Sequence, residues 1–337
     1  MLDNFCKSGE FMSQFRRIFF VFPGQGSQYR GMGLDLVKEF ECAKECFALA
    51  SEVVGYDMEE LCFNDTQEQI NLTRFTQPAL LTHEISCLRS LQSLDGKNEI
   101  IPLVAAGHSL GEYAALVTAG GLSFKDALKL VTKRAELMSE FGEGSMLATT
   151  LDQATAKVLA DKYFCGIGGC NLPEQTVIAG NDEDLVLLTK ELNDSYPRKR
   201  AIPLKTEGAF HTYLMVEAAR RFREVLDEVS FRPLELNVLS NYTGELHESD
   251  ANAIQSRLFF QLFSPVQWMA CMDEAINAGV DAIIEFGGGI GKGIAPEEKR
   301  PNLESMIKKA LKLRQHNAEY FGAISAKSIR SIADHIL

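Results

Sequence analysis

The sequence has little of what marks several common protein classes. Its 337 residues include eight cysteines, but these are scattered without a Cys-x-x-Cys pair, and the first residues lack the organisation of a secretory signal. We therefore expect a cytoplasmic protein with reduced thiols and no metal site. No segment approaches the continuous apolar length of a membrane span, so we expect no contact with a membrane.

Positive charge is also scarce. Lysine and arginine total 34 against 46 aspartate and glutamate residues, which gives a formal net charge of −12. A chain this acidic is unsuited to nonspecific binding of nucleic acid, and an acidic partner would need a local basic patch. Hydrophobic residues make up 46% of the chain, which is ample for one large α/β domain or two smaller ones.

A nucleophile-elbow pattern occurs at Gly107-His108-Ser109-Leu110-Gly111. Apolar, β-prone residues 100–104 come before it, and a helical stretch at 113–119 follows. In that context a Gly-x-Ser-x-Gly serine is exposed at the top of a sheet, with backbone N–H groups beside it for an oxyanion. The simpler interpretation is a tight turn between strand and helix. The flanking strand and helix favour Ser109 as a nucleophile.

The order of the predicted elements indicates an α/β fold in two parts. Residues 17–22 form a buried strand, and residues 145–204 alternate as β-α-β-β-α-β, which is the ferredoxin-like signature. We expect an α/β-hydrolase-like large subdomain with an inserted ferredoxin-like small subdomain. The predicted parts are a flexible leader at 1–16, the large subdomain at 17–143 and 212–300, the small subdomain at 144–211 and a C-terminal helical tail at 301–337.

Three further positions carry polar groups where a cleft would form. Gln25 follows the first strand, at the edge where open α/β sheets bind ligands, although a glycine turn explains this stretch equally well. Arg134 lies among apolar residues of a predicted helix and is either structural or a fork for a substrate carboxylate. His211 stands at the junction of the subdomains. It becomes the leading base if Ser109 is a nucleophile, because serine needs a neighbour to take its proton.

Together these motifs resemble those of the malonyl-coenzyme A:acyl-carrier-protein transacylases of fatty-acid and polyketide synthesis. The similarity extends from Arg17 to about Arg300, and its specificity lies in the order and spacing of seven stretches. These are Phe22-Pro23-Gly24-Gln25-Gly26-Ser27-Gln28, Thr76-Gln77-Pro78-Ala79-Leu80, Gly107-His108-Ser109-Leu110-Gly111-Glu112-Tyr113, Lys133-Arg134-Ala135, Gln175-Thr176-Val177-Ile178-Ala179-Gly180, Gly208-Ala209-Phe210-His211 and Pro265-Val266-Gln267-Trp268.

The resemblance implies a catalytic role for several of these residues. Ser109 would be the nucleophile and His211 the base, with the histidine oriented by a backbone carbonyl near Gln267. The oxyanion hole would combine the backbone N–H groups of Gln25 and Leu110.

The resemblance also implies residues that select the substrate. Arg134 would hold the malonyl carboxylate, and Phe210 would narrow the space beside the α-carbon. His108 would have a supporting role next to the nucleophile.

The implied activity is that of an acyl-carrier-protein S-malonyltransferase. By a ping-pong cycle it would move malonyl from malonyl-CoA to the 4′-phosphopantetheine thiol of a holo acyl carrier protein, with no bound cofactor and as a monomer. The acidic carrier protein would dock on local basic residues. The candidates are Arg198, Lys199, Arg200, Lys299 and Arg300.

Three alternatives remain at this stage. An editing hydrolase of the same fold would use Ser109 and His211 but would not need Arg134. A non-catalytic binding subunit is disfavoured by the intact Gln25, Ser109 and His211. A generic α/β-hydrolase lacks a suitably spaced aspartate before the histidine. Residues 296–303 look more like freestanding acyltransferases of polyketide assembly lines, so the pathway stays open.

Overall fold

The computed structural model describes residues 16–96 and 99–336. The leader predicted over 1–16 therefore lies outside the described residues, except for Arg16. The first part of the fold consists of β1 (Ile18–Phe22), α1 (Leu34–Glu39), α2 (Glu41–Val54), α3 (Thr73–Leu94), β2 (Pro102–Gly107), α4 (Gly111–Thr118) and α5 (Phe124–Glu140).

The small subdomain follows this first part. It consists of β3 (Ser145–Thr149), α6 (Gln153–Lys162), β4 (Gly166–Leu172), β5 (Gln175–Gly180), α7 (Asp182–Ser195) and β6 (Ala201–Pro203). Its strands form an antiparallel sheet in the order β4-β5-β3-β6, which is the ferredoxin-like arrangement predicted from the sequence. Helix α7 packs against this sheet through Leu185, Leu188 and Leu192, which share one helix face because they are three or four residues apart.

The chain then returns to the large subdomain. The elements are α8 (Val216–Asp227), β7 (Asn237–Val238), α9 (Ala251–Gln261), α10 (Trp268–Asn277), β8 (Ala282–Phe286), α11 (Glu304–Leu313), β9 (Glu319–Ala323) and α12 (Ala326–Ile336). Five parallel strands form one sheet in the order β7-β2-β1-β8-β9. Strand β1 is entirely buried: Phe20 and Phe22 belong to one core, and Phe19 and Val21 belong to the other. This is why β1 is a continuous apolar run, since helices cover both faces of a parallel sheet.

The predicted helical tail, 301–337, is wrong in one respect. Between α11 and α12 the chain forms β9, which pairs in parallel with β8 from Ala282–Glu319 to Phe286–Ala323. The five residues of β9 are too few and too mixed in polarity to show a strand period. Their strand conformation depends on β8 as a neighbour, and this tertiary contact overrides the local pattern.

Two features place a cleft over the end of the large sheet. The C-terminal ends of β1 and β2 lie side by side, since Phe22 pairs with Gly107. The small subdomain is tied to the large one at Val266, whose carbonyl accepts the Cys170 N–H over 2.8 Å and whose N–H donates to the Gly168 carbonyl over 3.2 Å. A parallel sheet with helices and a separate antiparallel sheet confirm the predicted α/β class. Ligands bind such sheets at the carboxyl ends of their strands.

Candidate active site

Ser109 lies in the sharp turn between β2 and α4. Its backbone is left-handed, with φ of 55°, and two glycines make the turn feasible. A Cβ on Gly107 would lie 1.7 Å from the Gly111 carbonyl carbon, and one on Gly111 would lie 2.2 Å from the Phe22 carbonyl oxygen. No side chain larger than hydrogen fits at either position, so the Gly-x-Ser-x-Gly spacing is a packing requirement of this elbow.

His211 is in hydrogen-bond contact with Ser109. Its Nε2 lies 2.7 Å from Ser109 Oγ, and its Nδ1 lies 2.8 Å from the backbone carbonyl oxygen of Gln261. A carbonyl only accepts, so Nδ1 carries the proton and Nε2 is left as the acceptor for the serine hydroxyl. Burial, reinforced by the positive charge of Arg134, lowers the pKa of His211 to about 3. The imidazole is therefore neutral near pH 7 and has a free lone pair facing the serine.

The expectation that the carbonyl near Gln267 orients the histidine is corrected by this geometry. The carbonyl belongs to Gln261, the last residue of α9. Gln267 lies six residues later, where it precedes α10 and its N–H donates to the Asn241 carbonyl over 2.8 Å. Both glutamines belong to one short segment, and sequence spacing does not reveal which carbonyl faces the imidazole.

Arg134 is completely buried beside the nucleophile. Its Nη2 donates to Ser109 Oγ and to Gln261 Oε1, each over 3.1 Å, and its Nη1 donates to Gln77 Oε1 over 2.7 Å. The guanidinium also lies 5.7 Å from the centre of the Tyr113 ring. Among the described residues none of its hydrogen-bond partners is a carboxylate. Glu112 acts on the guanidinium only through space, so within the described chain the cation has no directly bonded counter-ion. A buried cation in that state is costly unless an anion joins it.

The loop after β1 packs directly on the elbow. The His108 N–H donates to the Phe22 carbonyl over 2.9 Å, and a Cβ on Gly24 would lie 2.5 Å from the His108 carbonyl oxygen. The Gln25 side chain donates to Thr73 Oγ1 over 3.0 Å. Within residues 16–96 and 99–336, the backbone N–H groups of Gln25 and Leu110 have no protein acceptor. Both predicted oxyanion donors therefore remain free for a ligand.

Phe210 and a group of apolar side chains form a wall next to the base. Phe210 is buried and packs in one cluster with Met138, Met146, Val177, Ala179, Ala209 and Met215. A Cβ on Gly168 would lie 2.8 Å from Met146 Cε and 3.1 Å from the Phe210 carbonyl oxygen. Phe210 precedes His211 in the chain, so this apolar cluster begins next to the base, and the role of Phe210 beside the α-carbon stays a prediction.

His108 faces the small subdomain. Its Nε2 lies 3.0 Å from Asn171 Oδ1, and its ring centre lies 5.5 Å from that of Trp268. Burial lowers its pKa, so the ring is neutral. Its contact with Asn171 links the elbow to β4, and its supporting role stays a prediction.

A cavity of about 430 Å³ opens beside the elbow and the loop after β1. Its lining combines residues of both subdomains and of α11: Gly24, Gln25, His108, Asn171, Leu172, Gln175, Leu204, Asn302, Leu303, Ser305, Met306 and Lys309. The α11 residues lie in the segment predicted only as a tail, so sequence patterns gave no indication of their place in the cleft.

Four buried side chains of the site were not singled out from the sequence. Gln77 and Glu112 stand inside the motifs quoted above, and motif membership was the only available signal. Asn241 and Gln261 hold the backbone of Ser109: Asn241 Oδ1 accepts its N–H over 2.5 Å, and Gln261 Nε2 donates to its carbonyl over 3.0 Å. They are 132 and 152 residues away in sequence, so only the fold reveals them.

In the part of the chain that the structure describes, no group of three or more His, Cys, Asp or Glu side chains could hold a metal ion, and the seven cysteines are free. No helix there is both long enough and apolar enough to cross a bilayer.

Comparison with known proteins gives consistent matches. Residues 19–287 match the acyl transferase domain family. The malonyl CoA-acyl carrier protein transacylase of Bacillus subtilis is 40% identical over 282 residues, which cover 81% of this chain and 87% of that protein. The transacylase of the same name from Staphylococcus aureus is 35% identical over 278 residues, covering 80% and 88%.

Solved structures agree with these matches. The malonyl CoA-acyl carrier protein transacylase of Clostridium perfringens superposes with a TM-score of 0.84 at 32% identity, covering 95% of this chain and 97% of that one. A malonyl-transacylase in complex with a type II polyketide synthase acyl-carrier protein also gives 0.84, at 31% identity, covering 95% and 99%. The serine elbow and its histidine point to the same family as these relatives do. The chain belongs to the acyl transferase domain family, among the malonyl-CoA:acyl-carrier-protein transacylases.

Proposed function

We propose that this protein transfers malonyl from malonyl-CoA to the phosphopantetheine thiol of a holo acyl carrier protein. The observation that carries the proposal is the buried guanidinium of Arg134, 3.1 Å from Ser109 Oγ and otherwise bonded to amide oxygens. A malonyl group on Ser109 carries a carboxylate that would bond the guanidinium directly. The names of the relatives, malonyl CoA-acyl carrier protein transacylases, support the same substrates.

The first half-reaction loads the enzyme. Ser109 Oγ attacks the thioester carbon of malonyl-CoA, and its proton passes to His211 Nε2. The thioester oxygen becomes an oxyanion facing the N–H groups of Gln25 and Leu110; the loss of one such donor typically costs about 3–4 kcal/mol. The C–S bond then breaks, and the CoA sulfur takes the proton from His211. The product is a malonyl-serine ester and free CoA.

The second half-reaction unloads it onto the carrier protein. His211 Nε2 takes the proton of the phosphopantetheine thiol, and the sulfur attacks the ester carbon. The same backbone donors hold the second oxyanion. Breakage of the ester C–O bond returns the proton from His211 to Ser109 Oγ, so the enzyme is regenerated and no net proton is consumed.

Arg134 also bears on the rival interpretation as an editing hydrolase. A hydrolase that clears simple acyl groups gains nothing from a buried cation at its nucleophile, whereas a malonyltransferase uses it to select its substrate. Phe210, next to His211 in the chain, packs with other apolar side chains, and we infer that it favours an unbranched α-carbon. Arg134 therefore favours the malonyltransferase over the hydrolase, and Phe210 favours malonyl over branched substrates.

Carrier-protein docking would use cations at the mouth of the cleft. Among the predicted candidates, Lys199 pairs with Glu174 at 3.3 Å, and Lys299 donates to the Gly291 carbonyl at 3.1 Å. Within the described chain, Arg198, Arg200 and Arg300 are exposed and form no ion pair, and the same is true of Lys309 at the cavity. These four residues carry the docking proposal.

Intact mass measurement tests the transfer. The protein is incubated with malonyl-CoA, and holo carrier protein is then added. We expect one malonyl adduct that moves to the carrier protein and is absent in Ser109→Ala. Ser256→Ala, which changes an exposed serine on α9, serves as the control and should load normally. If the protein forms no malonyl adduct and instead hydrolyses the acyl thioesters of acylated carrier protein, the result would favour the editing enzyme.

A further inference from the structure

Glu112 lies behind the active site, and its side chain is completely buried. Its carboxylate accepts three hydrogen bonds: from the Asn241 N–H over 2.9 Å, from Gln261 Nε2 over 2.7 Å and from His247 Nε2 over 2.7 Å. The carboxylate is not a hydrogen-bond partner of Ser109 Oγ or of His211. Its three partners come from the segment between β7 and α9 and from the end of α9.

Two of these partners hold the nucleophile. Asn241 accepts the Ser109 N–H, and its own Nδ2 donates to the Gly107 carbonyl over 2.7 Å. Gln261 donates to the Ser109 carbonyl. The peptide groups on both sides of Ser109 therefore depend on Gln261, whose side chain Glu112 holds, and on Asn241, whose backbone N–H Glu112 accepts. This matters because Ser109 is held in a left-handed conformation that its own backbone does not favour.

Gln261 extends the same control to the base and to the buried cation. Its backbone carbonyl accepts from His211 Nδ1, and its Oε1 accepts from Arg134 Nη2. Its Nε2 is shared between Glu112 and Ser109. A rotation of the Gln261 amide would therefore move the contacts of Ser109 and Arg134 together.

His247 completes the shell of Glu112. Its side chain is completely buried, and its backbone N–H donates to the Val238 carbonyl over 2.7 Å. A carboxylate only accepts, so the ring donates through Nε2. Without this donor, one Glu112 oxygen would be buried and unpaired, which is costly. The carboxylate would relieve this cost by turning towards its two remaining donors, Asn241 and Gln261. Those donors are the groups that hold the active site.

We propose that His247 is a positioning residue: through Glu112 it fixes Gln261 and Asn241, and thereby the relative placement of Ser109, His211 and Arg134. This inference rests on the proposed malonyl transfer. It assigns a function to a histidine that reaches the catalytic residues only through Glu112 and lies outside the seven stretches on which the family resemblance rests.

The test compares His247→Phe, which keeps a ring but removes the donor, with His247→Gln, whose amide can still donate to Glu112. The readouts are the single-turnover rates of Ser109 acylation by saturating malonyl-CoA and acetyl-CoA, and the melting temperature. We expect His247→Phe to lower the malonyl rate about 10- to 100-fold, the scale of a misplaced catalytic group. The malonyl-to-acetyl ratio should fall too, because Arg134 loses its orientation. His247→Gln should regain most of both.

The control is His316→Phe. This half-buried histidine lies 2.5 Å from the Val280 carbonyl, away from the cleft, so its loss should lower stability without changing either rate. If His247→Phe lowers the melting temperature yet keeps the wild-type rate and ratio, His247 is merely structural and the inference is overturned.

Glu112→Gln decides the matter if His247→Phe does not fold. This isosteric change leaves the three donors one acceptor short, so the same losses are expected, and wild-type rates would overturn the inference. Failure of the wild type to form a malonyl adduct would instead refute the proposed function.

Discussion

Replacement of Arg134 by alanine should reduce malonyl use far more than acetyl use. The guanidinium is buried, so solvent screens its charge little. In Arg134→Ala, a malonyl carboxylate entering the site would lie buried without its counter-charge. Removing one partner of a buried ion pair costs about 3–5 kcal/mol. At about 1.4 kcal/mol per factor of ten, kcat/KM for malonyl-CoA should fall by about two to four powers of ten.

Acetyl-CoA provides the internal reference for this prediction. It has no carboxylate, so for this substrate Arg134→Ala removes only the bonds that the guanidinium makes within the protein, to Ser109, Gln77 and Gln261. This loss applies to both substrates. The malonyl-to-acetyl ratio therefore isolates the carboxylate contribution. Arg134→Lys should give an intermediate ratio, because an ammonium keeps the charge but lacks the planar fork.

The assay is release of CoA thiol at several concentrations of each substrate, with Arg89→Ala as the matched control. Arg89 is partly buried, but its Nη1 donates to Cys46 Sγ over 3.4 Å and its guanidinium lies 5.2 Å from the centre of the Phe124 ring. Its loss should therefore leave the ratio unchanged. If Arg134→Ala lowers kcat/KM for the two substrates by equal factors, Arg134 does not hold the carboxylate and the reasoning is refuted.

Three further predictions concern the base His211, the specificity residue Phe210 and the docking surface for the carrier protein. Protonation of His211 removes the lone pair that accepts the serine proton, so activity falls as pH drops through its pKa of about 3. The rate of Ser109 acylation should thus stay level from pH 7 to about 5, whereas a midpoint near the ordinary value of 6.5 would contradict the burial argument. Phe210→Ala should raise the use of methylmalonyl-CoA relative to malonyl-CoA, measured by competition and mass spectrometry. An unchanged ratio would show that Phe210 does not select against the branched substrate. Lys309→Glu should raise KM for an acidic carrier protein about tenfold, and this effect should disappear at high salt. The control is Lys308→Glu, which should not raise KM because Lys308 already pairs with Glu304. Equal effects of the two substitutions would refute the docking role of Lys309.

Much of the fold was predictable because local pattern and tertiary role agree. A few neighbouring residues are enough to predict strand β1 from its apolar run and the elbow from the glycines around Ser109. The same holds for each element of the β-α-β-β-α-β order. Strand β9 was not predictable in this way, because its strand conformation depends on pairing with β8. Local sequence gave no equivalent of that contact.

The site divides along the same line. Ser109, His211 and Arg134 were found through short motifs, and the structure brings them into one hydrogen-bonded group. The carbonyl that orients His211 is expected near Gln267 and belongs to Gln261, six residues earlier. Residue type does not identify a backbone acceptor, since every residue has a carbonyl. Gln261 acts through its position at the end of α9, which only the assembled fold defines.

The left-handed backbones of Ser109 and His211 have a consequence for folding. Each non-glycine residue held at such a φ, here 55° and 63°, stores about 1–3 kcal/mol of strain that the rest of the chain must offset. Glycine adopts these angles without that penalty. The chain therefore maintains its two reactive side chains in positions that oppose its own stability. Selection for thermal stability alone would favour glycine at such positions, so a stabilised lineage that has lost acyl transfer is expected to carry glycine at Ser109, at His211 or at both.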